Sequence, residues 1–182
     1  MKKIIILLLA LTVICCVVSG CSNNSSVSLK QDYDYLYEVG ADVEPGIYLI
    51  YEPEGGITGY CIASDPELNN KVSNGHFHNR HYIEVKEGEY FKIYGSEMIP
   101  FSAVKPYESP NGMIADGQYL VGFDIAPGAY QLIGTGTGDA GQYVISDDAN
   151  GDDVIRENTF IGSDYITVYK GDYIELSYCI LK

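Results

Sequence analysis

The chain reads as an all-β protein built from two tandem small antiparallel β-sandwich or rolled-sheet modules. Three observations predict it: a segment that recurs in register, a strand-forming composition cut at short intervals by turn residues, and no sustained helical period. The segment Tyr37-Glu38-Val39-Gly40-Ala41-Asp42-Val43-Glu44-Pro45-Gly46-Ile47-Tyr48 returns as Tyr119-Leu120-Val121-Gly122-Phe123-Asp124-Ile125-Ala126-Pro127-Gly128-Ala129-Tyr130, an offset of 82. One inserted residue makes the offset 83, and the match continues without a gap. Tyr60 and Ile62 fall on Tyr143 and Ile145, Asp65 on Asp148, and Phe77 on Phe160. Tyr82-Ile83-x-Val85 falls on Tyr165-Ile166-x-Val168, and Gly88-x-Tyr90 on Gly171-x-Tyr173. Chance does not hold register over so long a stretch, so the pattern is an internal duplication.

Taken in order, residues 1–20 are an address. Met1-Lys2-Lys3 is a basic start, and Ile4 to Ile14 is an uncharged apolar run too short to span a bilayer. Val18-Ser19-Gly20-Cys21 follows and resembles the lipobox of bacterial lipoproteins. The resemblance implies cleavage between Gly20 and Cys21 and a diacylglyceryl group on the Cys21 sulfur. The mature chain would then be held at the outer face of the cell membrane by lipid, and two acyl chains anchor durably. Residues 21–35 begin with Ser22-Asn23-Asn24-Ser25-Ser26, a polar stretch that reads as a flexible tether reaching roughly 20 Å.

Residues 36–103 form the first module, 104–117 a linker marked by Pro106, Pro110 and Asn111-Gly112, and 118–182 the second module. Tyr, Val, Ile and Thr dominate both modules. Glu44-Pro45-Gly46-Ile47 and Ala126-Pro127-Gly128-Ala129 fit type II turns. Ile166 to Leu176, turning at Lys170-Gly171, reads as a hairpin with Ile166, Val168, Ile174 and Leu176 inward. Units this small are marginal alone, so the two are expected to pack on each other. The shared pattern Gly-x-Asp-x-x-Pro-Gly-x-Tyr, then Tyr-Ile-x-Val-x-x-Gly-x-Tyr, resembles a module of secreted proteins and lipoproteins of Gram-positive bacteria. That module has no assigned activity, so the resemblance implies a fold and no site.

Eleven Lys+Arg against 25 Asp+Glu give a net charge of −14. This excludes nucleic acid as a partner, because phosphate binding needs Lys and Arg. It also keeps the body away from anionic lipid head groups. All three histidines lie in His76-Phe77-His78-Asn79-Arg80-His81. On a strand His76 and His78 share a face, and His81 could join them from a turn, a candidate zinc or copper set. Against it, Arg80 adds a positive charge, and the second copy has Thr159, Ile161 and Asp164 at the matching places. A solvated loop is the simpler reading, and no cofactor is expected. Ser146 to Glu157 overlays part of a calcium-loop spacing but lacks the first Asp, and reads better as an acidic turn. Gly134-Thr135-Gly136-Thr137-Gly138 has no helix or Lys behind it and reads as a hairpin loop, not a phosphate cradle.

After processing, Cys61 and Cys179 are the remaining pair of thiols. They are either free or bridged between the copies, and a bridge would stabilise by about 4–5 kcal/mol on the entropic model. Tyr33, Tyr35, Tyr51, Tyr94, Tyr107 and Tyr169 have no Tyr at the matching place in the other copy, which makes them the candidates for contact with a ligand. With histidines confined to one run, a Ser-His-Asp set has little to draw on. The sequence therefore points to a non-enzymatic binding, adhesion or envelope module with an extracellular or envelope ligand. The alternatives are a hydrolase using paired carboxylates such as Asp42 with Asp124, and an accessory subunit of a transporter.

Overall fold

A computed structural model describes residues 35–53, 58–109 and 111–182. The signal segment, the lipobox with Gly20 and Cys21, Tyr33 and nearly all of the tether lie outside the described residues. The described chain is almost all strand, with one 3-10 turn at Phe101–Ala103 and no α-helix. No described helix is long and apolar enough to cross a membrane.

The first seven strands are β1 Tyr35–Glu38, β2 Gly46–Tyr51, β3 Gly59–Ala63, β4 Lys71–His76, β5 Arg80–Val85, β6 Tyr90–Tyr94 and β7 Glu97–Pro100. The next seven are β8 Gly117–Leu120, β9 Gly128–Gly134, β10 Ala140–Ser146, β11 Val154–Ile161, β12 Ser163–Val168, β13 Tyr173–Ser177 and β14 Cys179–Leu181. Two antiparallel sheets come from the first set, ordered β1-β6-β3-β4 and β5-β2-β7. The second set repeats them as β8-β13-β10-β11 and β12-β9-β14. Strand for strand, the duplication seen in the sequence is a duplication of topology.

Each copy closes its own core between its two sheets. Ile50, Ile62, Ile83 and Phe91 are fully buried in the first copy, and Leu132, Tyr143, Val168 and Ile174 in the second. Period-2 alternation decides these faces, one side of each strand inward and the other outward. A third buried cluster, Leu49, Tyr82, Ala149 and Tyr173, draws two residues from each copy. The copies therefore share a dry seam.

Two local expectations fail. Ile166 to Leu176 is not a hairpin: β12 pairs with β9, whereas β13 pairs with β10 and β8 in the facing sheet. The four residues expected inward are buried. Alternation fixes which face is covered and says nothing about the neighbour, so a chain crossing between sheets looks like a hairpin. The Pro127-Gly128 pair is not a type II turn either. Gly46 and Gly128 open β2 and β9; Gly46 takes φ +143, whereas Gly128 does not have positive φ. The tight turn comes earlier, at Gly40 (φ +96) and Gly122 (φ +92), where Asp42 and Asp124 each accept a backbone N–H, from Glu38 and Leu120 at 2.9 Å. The segment read as a linker is packed, with Tyr107 and Ile114 against the second core and Val104 against the seam.

Candidate functional site

The seam gathers most of the polar chemistry that is buried. Arg80 begins β5, and its alternation turns the side chain out of the first sandwich toward the second copy. There Nη2 meets Asp124 Oδ1 at 3.0 Å and donates to the Tyr82 hydroxyl at 2.9 Å. The Tyr82 hydroxyl donates to Asp124 Oδ2 at 2.8 Å, and the Tyr107 backbone N–H reaches Oδ1 at 3.1 Å. With the Leu120 N–H, Asp124 thus ties the linker, both copies and its own turn together. The rings of Tyr82, Tyr107 and Tyr119 stand 5.1–5.4 Å from the guanidinium carbon, a spacing at which ring quadrupoles attract the cation. Burial raises the Tyr82 and Tyr119 phenols far above their usual range, so both hold their protons. Gly117 has no side chain because a Cβ there would come within 2.9 Å of Arg80 Cγ.

Two amide side chains stitch the seam. Gln118 is 1% exposed; its Oε1 accepts the Tyr82 N–H at 2.7 Å and its Nε2 donates to the Ala149 carbonyl at 3.1 Å. Asn150 lies in the β10–β11 loop and takes both backbone groups of Glu84, accepting N–H at 2.8 Å and donating to C=O at 3.2 Å. It occupies the open edge of β5 as a neighbouring strand would. The Tyr60 hydroxyl donates to the Asn150 carbonyl at 3.0 Å, and Ser73 to Asp152 Oδ1 at 3.3 Å. We expect Asn150→Ala to cost about 1 kcal/mol, because the Glu84 backbone groups lose their partners at an exposed edge where water replaces them. Urea unfolding checks it, and Glu67→Ala at the matching place in the first copy should be nearly silent.

Beside Arg80 the seam opens into a cavity of about 490 Å³ lined by Leu49, Tyr51, Glu52, Ile99, Tyr107, Asp116 and Tyr119, among others. Its walls are largely apolar and aromatic, with Arg80 and two carboxylates among the polar groups. The Tyr51 hydroxyl donates to Glu97 Oε2 at 2.5 Å, and burial with that carboxylate pushes the phenol up to about 12. This composition and size suit a small-molecule or side-chain pocket.

The histidines are not brought together. His76 Nδ1 lies 3.1 Å from the Thr58 carbonyl, and His78 is exposed with its ring 5.9 Å from that of Tyr178. His81 is buried, stacked between Tyr60 and Phe77. Apolar neighbours on a strand draw it into the sandwich, away from the loop the sequence suggested. Among the described residues no three His, Cys, Asp or Glu side chains gather as a metal site requires. Asp148 is occupied within its own loop, accepting N–H groups of Asp152 and Asp153. Cys61 and Cys179 are both buried and free, in β3 of one copy and β14 of the other. Cys179 donates to the Gln142 carbonyl, and burial raises its thiol to about 11. Asp42 is exposed and Asp124 buried on Arg80, each held by the turn of its own copy.

Of the tyrosines singled out, Tyr51 and Tyr107 line the cavity, Tyr35 and Tyr169 are exposed, and Tyr94 is half-buried. Arg80, Gln118, Asp116 and Asn150 were missed as functional residues. A signal existed for Arg80 and Gln118: each is polar where the other copy has a different class of residue, Ser163 and Leu36. A scan against protein-family models gives no match for this chain, and a search of curated proteins finds none with significant similarity.

Proposed function

We propose that the protein is a membrane-anchored surface lipoprotein whose exported β body binds a ligand and does not transform it. The observation that carries this reading is the cavity beside Arg80, a preformed apolar pocket at the joint between two rigid sandwiches. The lipobox reading of residues 18–21 supplies the anchor, and the acidic body stands off an anionic bilayer. Within the pocket the Arg80 charge is already matched by Asp124, so Glu52 and Asp116 leave an excess of negative charge beside three phenol rings. An apolar or aromatic group carrying a cation is the chemistry that complements it.

Titration with tyramine tests this, with 3-(4-hydroxyphenyl)propionate as its anionic counterpart. Tyramine should shift the backbone resonances of residues 115–119 and 49–52, and Tyr107→Ala, which also lowers the melting temperature because the ring packs on the second core, should abolish the shift at a temperature where circular dichroism shows the variant folded. Equal response to both probes, or to neither, would overturn the assignment. Mass spectrometry of the protein recovered from membranes tests the anchor: a chain beginning at Cys21 with an acyl mass supports it, and an intact residue 1 removes it.

A further inference from the structure

One strand occurs twice in the chain, once shielded and once open. β4 and β11 hold matching places, each at the end of its four-stranded sheet, beside β3 and β10. In the first copy the 148–153 turn attends that side: Ser73 of β4 donates to Asp152, and Asn150 occupies the edge of β5. Among the described residues nothing pairs with the outer side of β11. Every residue of β11 except Phe160 is exposed, and Ile161 is 79% exposed.

The two strands also differ in sequence. Lys71, Gly75, His76 and His78, in and beside β4, have Val154, Asn158, Thr159 and Ile161 at the matching places. Lysine at an edge and glycine within a strand both discourage a further strand from pairing, whereas β-branched residues favour it. β11 is eight residues long where β4 is six. Arg156 and Glu157, which stand for Ser73 and Asn74, cancel each other, so β11 carries no net charge on a chain of net −14. It is a side on which two such acidic bodies can approach.

The ladder with β10 fixes which backbone groups of β11 are free. The Gly162 N–H donates to the Asp139 carbonyl at 2.9 Å, which continues the register that pairs Ala140 with Ile161. Alternate residues of an antiparallel strand turn their groups to the same neighbour. Phe160, Asn158 and Arg156 therefore bond β10, and Ile161, Thr159 and Glu157 turn N–H and C=O outward. Ile155 is the extra residue of a bulge, so the regular free edge begins at Glu157. A second molecule related by a two-fold axis can meet this edge in few registers. Centred on Thr159, the axis sets Thr159 against Thr159 and Glu157 against Ile161, and each outward group finds a partner. Centred on Glu157 it opposes two carboxylates, and centred on Asn158 it sets Ile161 against the bulge.

We infer that β11 pairs with the β11 of a second copy of this chain, antiparallel and centred on Thr159, so that two four-stranded sheets become one. Such a contact is isologous and closes at two molecules. It is independent of what the cavity beside Arg80 binds.

Sedimentation velocity of the full chain in mild detergent, up to about 1 mM, tests this. Mean mass should rise with concentration to that of a dimer and stop there. Added salt should tighten the association, since it screens two acidic bodies from each other. Amide exchange reads the register: raising the concentration should slow Glu157, Thr159 and Ile161 and leave Arg156, Asn158 and Phe160 as they were. Ile161→Glu sets a carboxylate opposite the partner's Glu157 at both ends of the contact and should weaken association about tenfold or more. Ile161→Lys should preserve it, because the same place then offers Glu157 an opposite charge. Unchanged circular dichroism and melting of both variants separates loss of contact from loss of fold. A chain that stays monomeric, growth past a dimer, or an association to which the two variants respond alike overturns the inference.

Discussion

Replacing Asp124 with alanine is expected to destabilise the protein by about 3–5 kcal/mol, measured by urea unfolding at neutral pH. The size follows from what is left behind. Arg80 lies at the seam with its side chain 9% exposed, and Asp124 is the acid paired with it there. Removing one member of a buried pair strands the other charge in a medium that solvates it poorly. Three further donors, the Tyr82 hydroxyl and the backbone N–H groups of Tyr107 and Leu120, lose an acceptor in the same step. Asp42 supplies the internal control. It stands at the matching place, caps the matching turn, and is exposed, so Asp42→Ala should cost only about 1 kcal/mol. Equal costs at the two positions would show that the carboxylate serves the turn and not the seam. The double change of Arg80 and Asp124 to Met and Leu should recover much of the loss, because it removes the stranded charge as well.

The contrast between Asp42 and Asp124 also shows what the sequence could and could not disclose. Strand faces were legible because alternation is a local property: Ile166, Val168, Ile174 and Leu176 are inward as expected. The tandem repeat was legible because it is written in register. Pairing was not, and the chain from β12 to β13 crosses between sheets where a hairpin was expected. Of the tyrosines that both copies share, Tyr60, Tyr143 and Tyr82 are buried and Tyr165 is exposed. Tyr82 is covered by the neighbouring copy and Tyr165 by nothing in the chain, so equal residues meet unequal surroundings. An arrangement in which one copy receives and the other inserts must break the equivalence of the copies. The residues that build it are therefore those where the repeat departs from itself, such as Arg80, Gln118 and Asn150. Departures of the repeat at its tyrosines pick out Tyr51 and Tyr107 in the cavity wall, whereas those at the polar residues of the seam went unread.

The second large effect is a loss of stability in mild acid that originates at His81. Its ring is 4% exposed, stacked between Tyr60 and Phe77, and neither ring nitrogen has a hydrogen-bond partner. Burial lowers its pKa to about 4 from an ordinary value of 6.5, against the opposing pull of Asp148. Between those values the unfolded chain carries a proton at this position that the native chain does not. Stability therefore rises with pH across the window: it is complete above about 6.5 and falls by about 3 kcal/mol on descending to pH 4. Glu175, whose Oε2 lies 3.9 Å from His81 Nδ1, works in the opposite sense. Burial raises its carboxyl, so the native chain keeps that proton longer and loses stability as pH rises above the ordinary carboxylate range. The lowered carboxyls of Asp65 and Asp164, which owe their shifts to hydrogen bonds, act only below about pH 4 and leave the window clear. Unfolding free energy measured from pH 4 to 7 should hence slope upward in the native sequence. The slope should steepen in Glu175→Gln and flatten in His81→Phe, which also raises stability at pH 4 by removing two unpaired nitrogens from between two rings. A His81→Phe protein with an undiminished slope would move the origin of the acid response to another group.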